Sequence, residues 1–139
     1  MTLISTKVLK NVICRERKNK GATFTVKSVK SGTDYTYKLV RKEYRGKWYT
    51  HVLVQTHYLK FVYLGSYFNG KLFHKKSVVS SKTAIAIGYI LNNVELGRFD
   101  FLDSKMELMH TGNCLCCGKP LTDPNSIKIG LGPVCNSNK

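Results

Sequence analysis

Four of the five cysteines fall between positions 114 and 135, with a histidine just ahead of them. The segment reads His110-Thr111-Gly112-Asn113-Cys114-Leu115-Cys116-Cys117-Gly118-Lys119-Pro120-Leu121, and later Gly130-Leu131-Gly132-Pro133-Val134-Cys135. Cys114 and Cys117, with two residues between them and glycine after, have the knuckle form. A tight turn aims both sulfurs at one ion, and a residue without Cβ lets backbone amides approach them. Cys135 supplies a third thiolate, and Gly132-Pro133 is the turn chemistry that would begin a short final helix carrying it. A closed tetrahedral site needs one more ligand. His110, with three residues between it and Cys114, permits a Cys3His set, and Cys116, Cys14 and Asp123 compete for the place. Adjacent side chains diverge, so Cys116 faces away from a site built by Cys114 and Cys117. The expectation is one structural Zn2+ on His110, Cys114, Cys117 and Cys135.

Other uses of these residues are weaker. A disulfide framework does not suit an odd number of cysteines without an export signal, and no thioredoxin-like βαβ pattern surrounds the CxxC. A catalytic zinc would need an open position and a base beside it. The only nearby acid, Asp123, precedes Pro124 and reads as a helix N-cap with proline at the first helical position.

The second chemistry is electrostatic. The formal net charge is +15, and residues 1–82 hold 18 of the 23 Lys/Arg with three acids, while residues 83–139 hold five of each sign. So one-sided a field favours a polyanion such as nucleic acid, and an acidic protein surface would answer the same electrostatics. The densest runs are Arg15-x-Arg17-Lys18-x-Lys20 and Arg41-Lys42-x-x-Arg45-x-Lys47, with Lys75-Lys76 a third patch. Eight tyrosines, six phenylalanines and Trp48 are concentrated among these bases. Aromatic rings interleaved with cations can stack unpaired bases while the cations follow phosphates, although about half of such rings are needed to pack a small core. Lys38, Trp48 and Tyr49 complete the expected nucleic-acid-binding set. A nuclease would use His51 or His57 as base, but no convincing carboxylate pair accompanies either one to hold Mg2+. Catalysis is therefore not expected.

These residues need elements to position them. Val8, Leu9, Val12 and Ile13 suit a short helix or strand leading into a basic loop. Phe24 and Val26, then Tyr35, Tyr37 and Leu39, alternate with polar residues across a Ser31-Gly32-Thr33-Asp34 turn and predict a β-hairpin. Trp48, Thr50, Val52 and Val54 share one face of a third strand, with Tyr49, His51 and Leu53 on the other. Tyr58 to Tyr67 and Lys71 to His74, joined by Asn69-Gly70, supply strands four and five. After Ser80 or Ser81, Ala84, Ile87, Leu91 and Val94 form one helical stripe, which Ile85, Tyr89 and Ile90 widen. Residues 95–109 suit a second short helix or an extended linker.

The spacing His-x3-Cys-x2-Cys-Gly-Lys-x-Leu-Thr-Asp-Pro-x-Ser-Ile, followed by Gly-x-Gly-Pro-x-Cys, resembles a small zinc-finger family of unknown function common in bacteriophage proteins. Ala22 to Ser28, Thr36-Tyr37-Lys38 and Tyr63-Leu64-Gly65 resemble the sheet domain that often precedes it. The resemblance implies a phage-encoded protein acting in the cytoplasm of a bacterial host and histidine as the fourth ligand; Cys116 departs from its pattern. The expected architecture is α+β: a small antiparallel β-meander with a covering helix, plus a C-terminal zinc-knuckle or treble-clef-like module. The divisions are a basic segment at 1–20, a sheet and helix domain at 21–109, and a zinc module at 110–139. The expected protein is a non-enzymatic nucleic-acid binder without a membrane span. The alternative is a regulator or inhibitor that binds an acidic surface of a host protein machine.

Overall fold

The computed structural model describes residues 2–16, 18, 21–56, 60–74, 81–132 and 135. Its elements run β1 (Thr2–Ile4), α1 (Val8–Ile13), β2 (Ala22–Ser28), β3 (Asp34–Tyr44), β4 (Lys47–Gln55), β5 (Phe61–Phe68), β6 (Lys71–His74), α2 (Ser81–Glu95), α3 (Phe99–Lys105), β7 (Met106–His110) and α4 (Pro124–Ile129). The strands form one antiparallel sheet in the order β1-β7-β2-β3-β4-β5-β6. The class is α+β, as the alternation and the helical stripe predict.

The meander from β2 to β6 follows from local chemistry. Arg45-Gly46 and Asn69-Gly70 join their strands as two-residue turns with φ of 51° and 77°, and of 50° and 81°. Positive φ at both central positions matches the twist of the flanking strands, and glycine takes it without strain. Between β4 and β5 the register shifts: Val52 pairs with Gly65 but Leu53 with Tyr63. Leu64 is thus the extra residue of a bulge, fully buried, while Tyr63 stays outside.

One face of the sheet carries the core. Phe24, Val26, Tyr37, Leu39, Val52, Val54, Leu64 and Tyr67 form one buried cluster with Val8, Leu9, Val12 and Ile13 of α1 and with Ala84, Ile87, Leu91 and Val94 of α2. Burying side chains this size removes roughly 1.5–3 kcal/mol each from contact with water, which is why two short helices hold to the sheet. The tyrosines that enter the core bring partners. The Tyr37 hydroxyl donates to the Thr83 carbonyl at 2.7 Å, and the Tyr67 hydroxyl donates to the Glu95 carboxylate. Burial holds both phenols well above their ordinary pKa, with the Glu95 carboxylate adding to the effect at Tyr67.

Three features differ from what periodicity suggests. The 95–109 connector holds the expected short helix, α3, but continues as a strand in place of a linker, and β7 lies between β1 and β2, with Met109 and His110 both paired in it. The N-terminal segment joins the sheet through β1 and the core through α1. Asp103 of α3 fastens it, accepting from the Ser5 hydroxyl at 2.7 Å and the Thr6 N–H at 2.8 Å. Third, Ile85 and Tyr89 do not widen the buried stripe of α2, because they stand 68% and 47% exposed. Among the described residues no helix is long and apolar enough to cross a membrane.

The two isoleucines of α2 separate burial from mere helical placement. Ile87→Ala is expected to cost about 2–5 kcal/mol in chemical denaturation, and Ile85→Ala less than about 0.5 kcal/mol. Equal costs would show that the stripe is wrongly drawn.

Candidate metal centre and basic sheet face

The chain leaves β7 at His110 and turns immediately into the cysteine segment. An isolated bridge between Asn113 and Pro120 opens a tight loop, closed by Cys114 N–H to Lys119 C=O at 2.8 Å and Gly118 N–H to Cys114 C=O at 2.9 Å. Gly118 sits at φ 79°, the left-handed conformation that the knuckle needs. Further on, Asp123 occupies the N-cap position of α4 with Pro124 in the first turn, and its carboxylate accepts from the Ser126 hydroxyl rather than from backbone N–H. Gly130 ends α4 at φ 86°, where an added Cβ would stand 2.9 Å from Ile4 Cδ1. This close packing returns the chain toward the knuckle, where Leu115 N–H donates to the Gly130 carbonyl at 2.9 Å.

These turns bring three thiols together. The Sγ atoms of Cys114, Cys117 and Cys135 all lie within 4.8 Å of one another, with Cys114 and Cys135 buried and Cys117 half-buried. The group can hold a metal ion. Backbone N–H groups of Cys116 and Gly132 point at Cys114 Sγ from 3.4 and 3.3 Å. Burial alone would raise the Cys114 pKa, but these donors and the Cys117 N–H outweigh it and bring the thiol below its ordinary value. Cys135 goes the other way. Burial first, and then its cysteine neighbours, push it up to about 12.

His110 stands outside the three-thiol group. Its ring is 1% exposed; Nδ1 accepts from Gly112 N–H at 2.9 Å and Nε2 donates to the Ile127 carbonyl at 2.6 Å. Both nitrogens are engaged with backbone, so the imidazole ties the end of β7 to α4. Cys116, Cys14 and Asp123 also lie outside the group. The Cys116 sulfur instead accepts from the Arg15 guanidinium at 2.8 Å.

Arg15 and Arg41, both expected among the nucleic-acid contacts, work inside the fold. Arg15 also donates to the Cys135 carbonyl, and its own carbonyl accepts from Arg41 Nε at 2.9 Å and a terminal Arg41 nitrogen at 2.6 Å. The other terminal nitrogen of Arg41 donates to the Thr50 hydroxyl at 2.9 Å, and Arg41 is 6% exposed. Strand alternation puts Arg41 on the core side with Leu39, and Trp48 on the same side with Thr50. Of the remaining set, Lys18 is exposed, and Arg17, Lys20, Lys75 and Lys76 lie outside the described residues, as does His57.

Lys38, Lys42, Lys47 and Tyr49 do reach the solvent face of the sheet, and Arg45 sits in the β3–β4 turn. The pairing gathers them into rows. One row reads Lys42, Tyr49, Phe68, Lys71, with the Tyr49 and Phe68 rings 4.6 Å apart. The next reads Val40, His51, Ser66, Phe73, and a third Lys38, Leu53, Tyr63. From Thr36 onward none of the outward positions of β3 to β6 is a carboxylate. Phe61, Tyr63, Phe68, Lys71 and Phe73 stand on the same face, and the charge runs of the sequence do not point to them. The signal that finds them is the two-residue Asn69-Gly70 turn, which fixes the β5–β6 register.

Residues 107–138 match a family of unknown function (DUF6011), a stretch that covers the cysteine segment and the end of β7. No curated protein matches the chain. No solved structure does either.

Metal ligation requires thiolates, so metal uptake at neutral pH should release the proton of Cys135, and affinity should rise with pH. Titration in two buffers of different ionisation enthalpy measures that release. Cobalt loading gives a second check: Cys117→Ser should weaken the thiolate charge-transfer band and lower Tm, while Cys14→Ser leaves both intact. An unchanged band in Cys117→Ser would remove that thiol from the centre.

Proposed function

We propose that the chain is a phage-encoded, non-enzymatic nucleic-acid-binding protein, with the solvent face of the sheet as contact surface and one zinc ion as a staple. The observation that carries the reading is the Lys42-Tyr49-Phe68-Lys71 row: a close, tilted ring pair with a cation at each end. Lysines without interleaved acids repel one another, and a phosphate backbone relieves that repulsion. Three clustered thiols suit a soft, closed, tetrahedral site, which favours zinc; His110 would complete it only by exchanging its bond to Gly112 or to Ile127 for the metal. Such a site stabilises the fold and supplies no chemistry of its own. Its knuckle spacing resembles the phage finger family, which supports a role in the cytoplasm of a bacterial host.

The alternative, a regulator docked on an acidic host protein, draws support from a different surface. A groove of about 700 Å³ beside α2 is lined by Ile85, Tyr89 and Val26, with Lys30, Lys82 and Lys105 among its residues. A single stoichiometric protein retained from nuclease-treated bacterial lysate, and lost on Ile85→Glu, would favour this second surface.

Binding of the metal-loaded protein to labelled oligonucleotides, measured against salt, tests the first reading. Affinity should fall steeply, with each neutralised phosphate contributing about 0.7 (single strand) to 0.9 (duplex) to the log–log slope. Lys42→Ala and Lys71→Ala should each weaken binding and flatten the slope by roughly one such contribution. Absent or salt-insensitive binding would sink the proposal.

A further inference from the structure

Resting on that reading, we infer that the ligand of the sheet face is a single strand, with unpaired bases stacked on Tyr63, Phe73 and the Tyr49/Phe68 pair. The width of the face argues against duplex. From β3 to β6 it is four strands across, about 14 Å between outer strand axes at ordinary spacing, before side chains are added. The major groove is about 12 Å wide and admits a helix or a two-stranded ribbon. A duplex would therefore meet the face only through phosphates and leave the rings unused. Two of those rings are open, and the Tyr49/Phe68 pair is half-buried. Phe73 is 55% and Tyr63 48% exposed, and the Leu64 bulge is what keeps Tyr63 outward while its neighbour enters the core.

Lysines rest over rings of this face: Lys47 over Phe68 at 5.9 Å and Lys71 over Phe73 at 5.5 Å, with Lys38 over the neighbouring Phe61 at 5.8 Å. Cation–π contacts at exposed sites are weak. A strand laid across the face can take over both partners, its bases covering rings and its phosphates receiving the displaced ammonium groups.

Between the ring rows lies a polar cluster. The Ser66 hydroxyl is 2.9 Å from His51 Nδ1 and 2.5 Å from the Tyr63 hydroxyl, and that hydroxyl is 3.3 Å from His51 Nδ1. Hydroxyls and an imidazole can each donate or accept, so the cluster can meet the hydrogen-bonding edge of one splayed base. Among the described residues of the face no second cluster of this kind is present.

The experiment measures anisotropy of the full-length, metal-loaded protein with labelled oligomers of about 12 nucleotides, as single-stranded RNA, single-stranded DNA and the matching duplexes. Either single strand should bind at least tenfold tighter than its duplex, and the tighter of the two identifies the sugar recognised. Tyr63→Ala and Phe73→Ala should each weaken single-strand binding by about 5-fold or more and leave duplex binding unchanged. Phe73→Leu, which keeps an apolar side chain without a ring, should show the same loss with an unchanged circular dichroism spectrum. Equal affinity for single strand and duplex, with the ring variants behaving as wild type, overturns this inference and leaves general nucleic-acid binding standing. Absence of binding to every oligomer overturns both.

Discussion

The pairing of β7 on both its edges is the constraint on which the rest of the molecule depends. Met106–His110 is the last strand among the described residues, yet it enters the sheet between β1 and β2, with His110 opposite Thr2 on one side and Phe24 on the other. That insertion makes the first residues of the chain an edge strand and starts the cysteine segment from inside the sheet. The two following contacts of the imidazole, with Gly112 and Ile127, carry the same rigidity into α4. A metal held by the three thiols would therefore stabilise more than its own loop, since ligand binding free energy is shared with whatever unfolds together with the site.

Two arginines extend this coupling across the core side of the sheet. Arg41 is anchored to Thr50, reaches the backbone of Arg15, and Arg15 reaches Cys116 and the carbonyl of Cys135. Burial lowers the pKa of Arg41, opposed by Cys14 and Glu16, but a guanidinium stays charged throughout the accessible range. Its cost inside the protein is offset by carbonyl and hydroxyl acceptors. Lysine in either position would offer one compact head in place of a planar fork and could not span two partners in the same way. Arg15 and Arg41 thus knit the interior, while Lys38, Lys42, Lys47 and Lys71 populate the open face with Arg45 in the turn beside it.

Much of this was legible in the sequence, for definite reasons. Alternation through Phe24 to Val26, Tyr35 to Leu39 and Trp48 to Val54 has period two because one face of each strand is buried, and the Asn69-Gly70 turn has a narrow set of conformations. Two residues between Cys114 and Cys117 bring the thiols together through local geometry alone, so that pair could be read without a fold. What could not be read depends on distant partners. Met106–His110 has no pattern that distinguishes a strand from a linker until Thr2–Ile4 and Ala22–Ser28 flank it. Arg41 and Lys42 are neighbours with the same charge, and only the placement of the strand decides that one turns inward to Arg15 and the other outward. Ile85 and Tyr89 look like core residues by type but fall beyond the width of the surface that α2 covers.

Among the described residues the sheet ends in short strands on both sides, three residues in β1 and four in β6. A broad face of exposed rings would ordinarily make such a protein prone to self-association, above all by strand addition along an open edge. Here each margin offers only a few backbone groups, and β6 begins with a lysine. Short margins of this kind leave little ladder for another copy of the chain to extend, so the rings can stay open to a ligand.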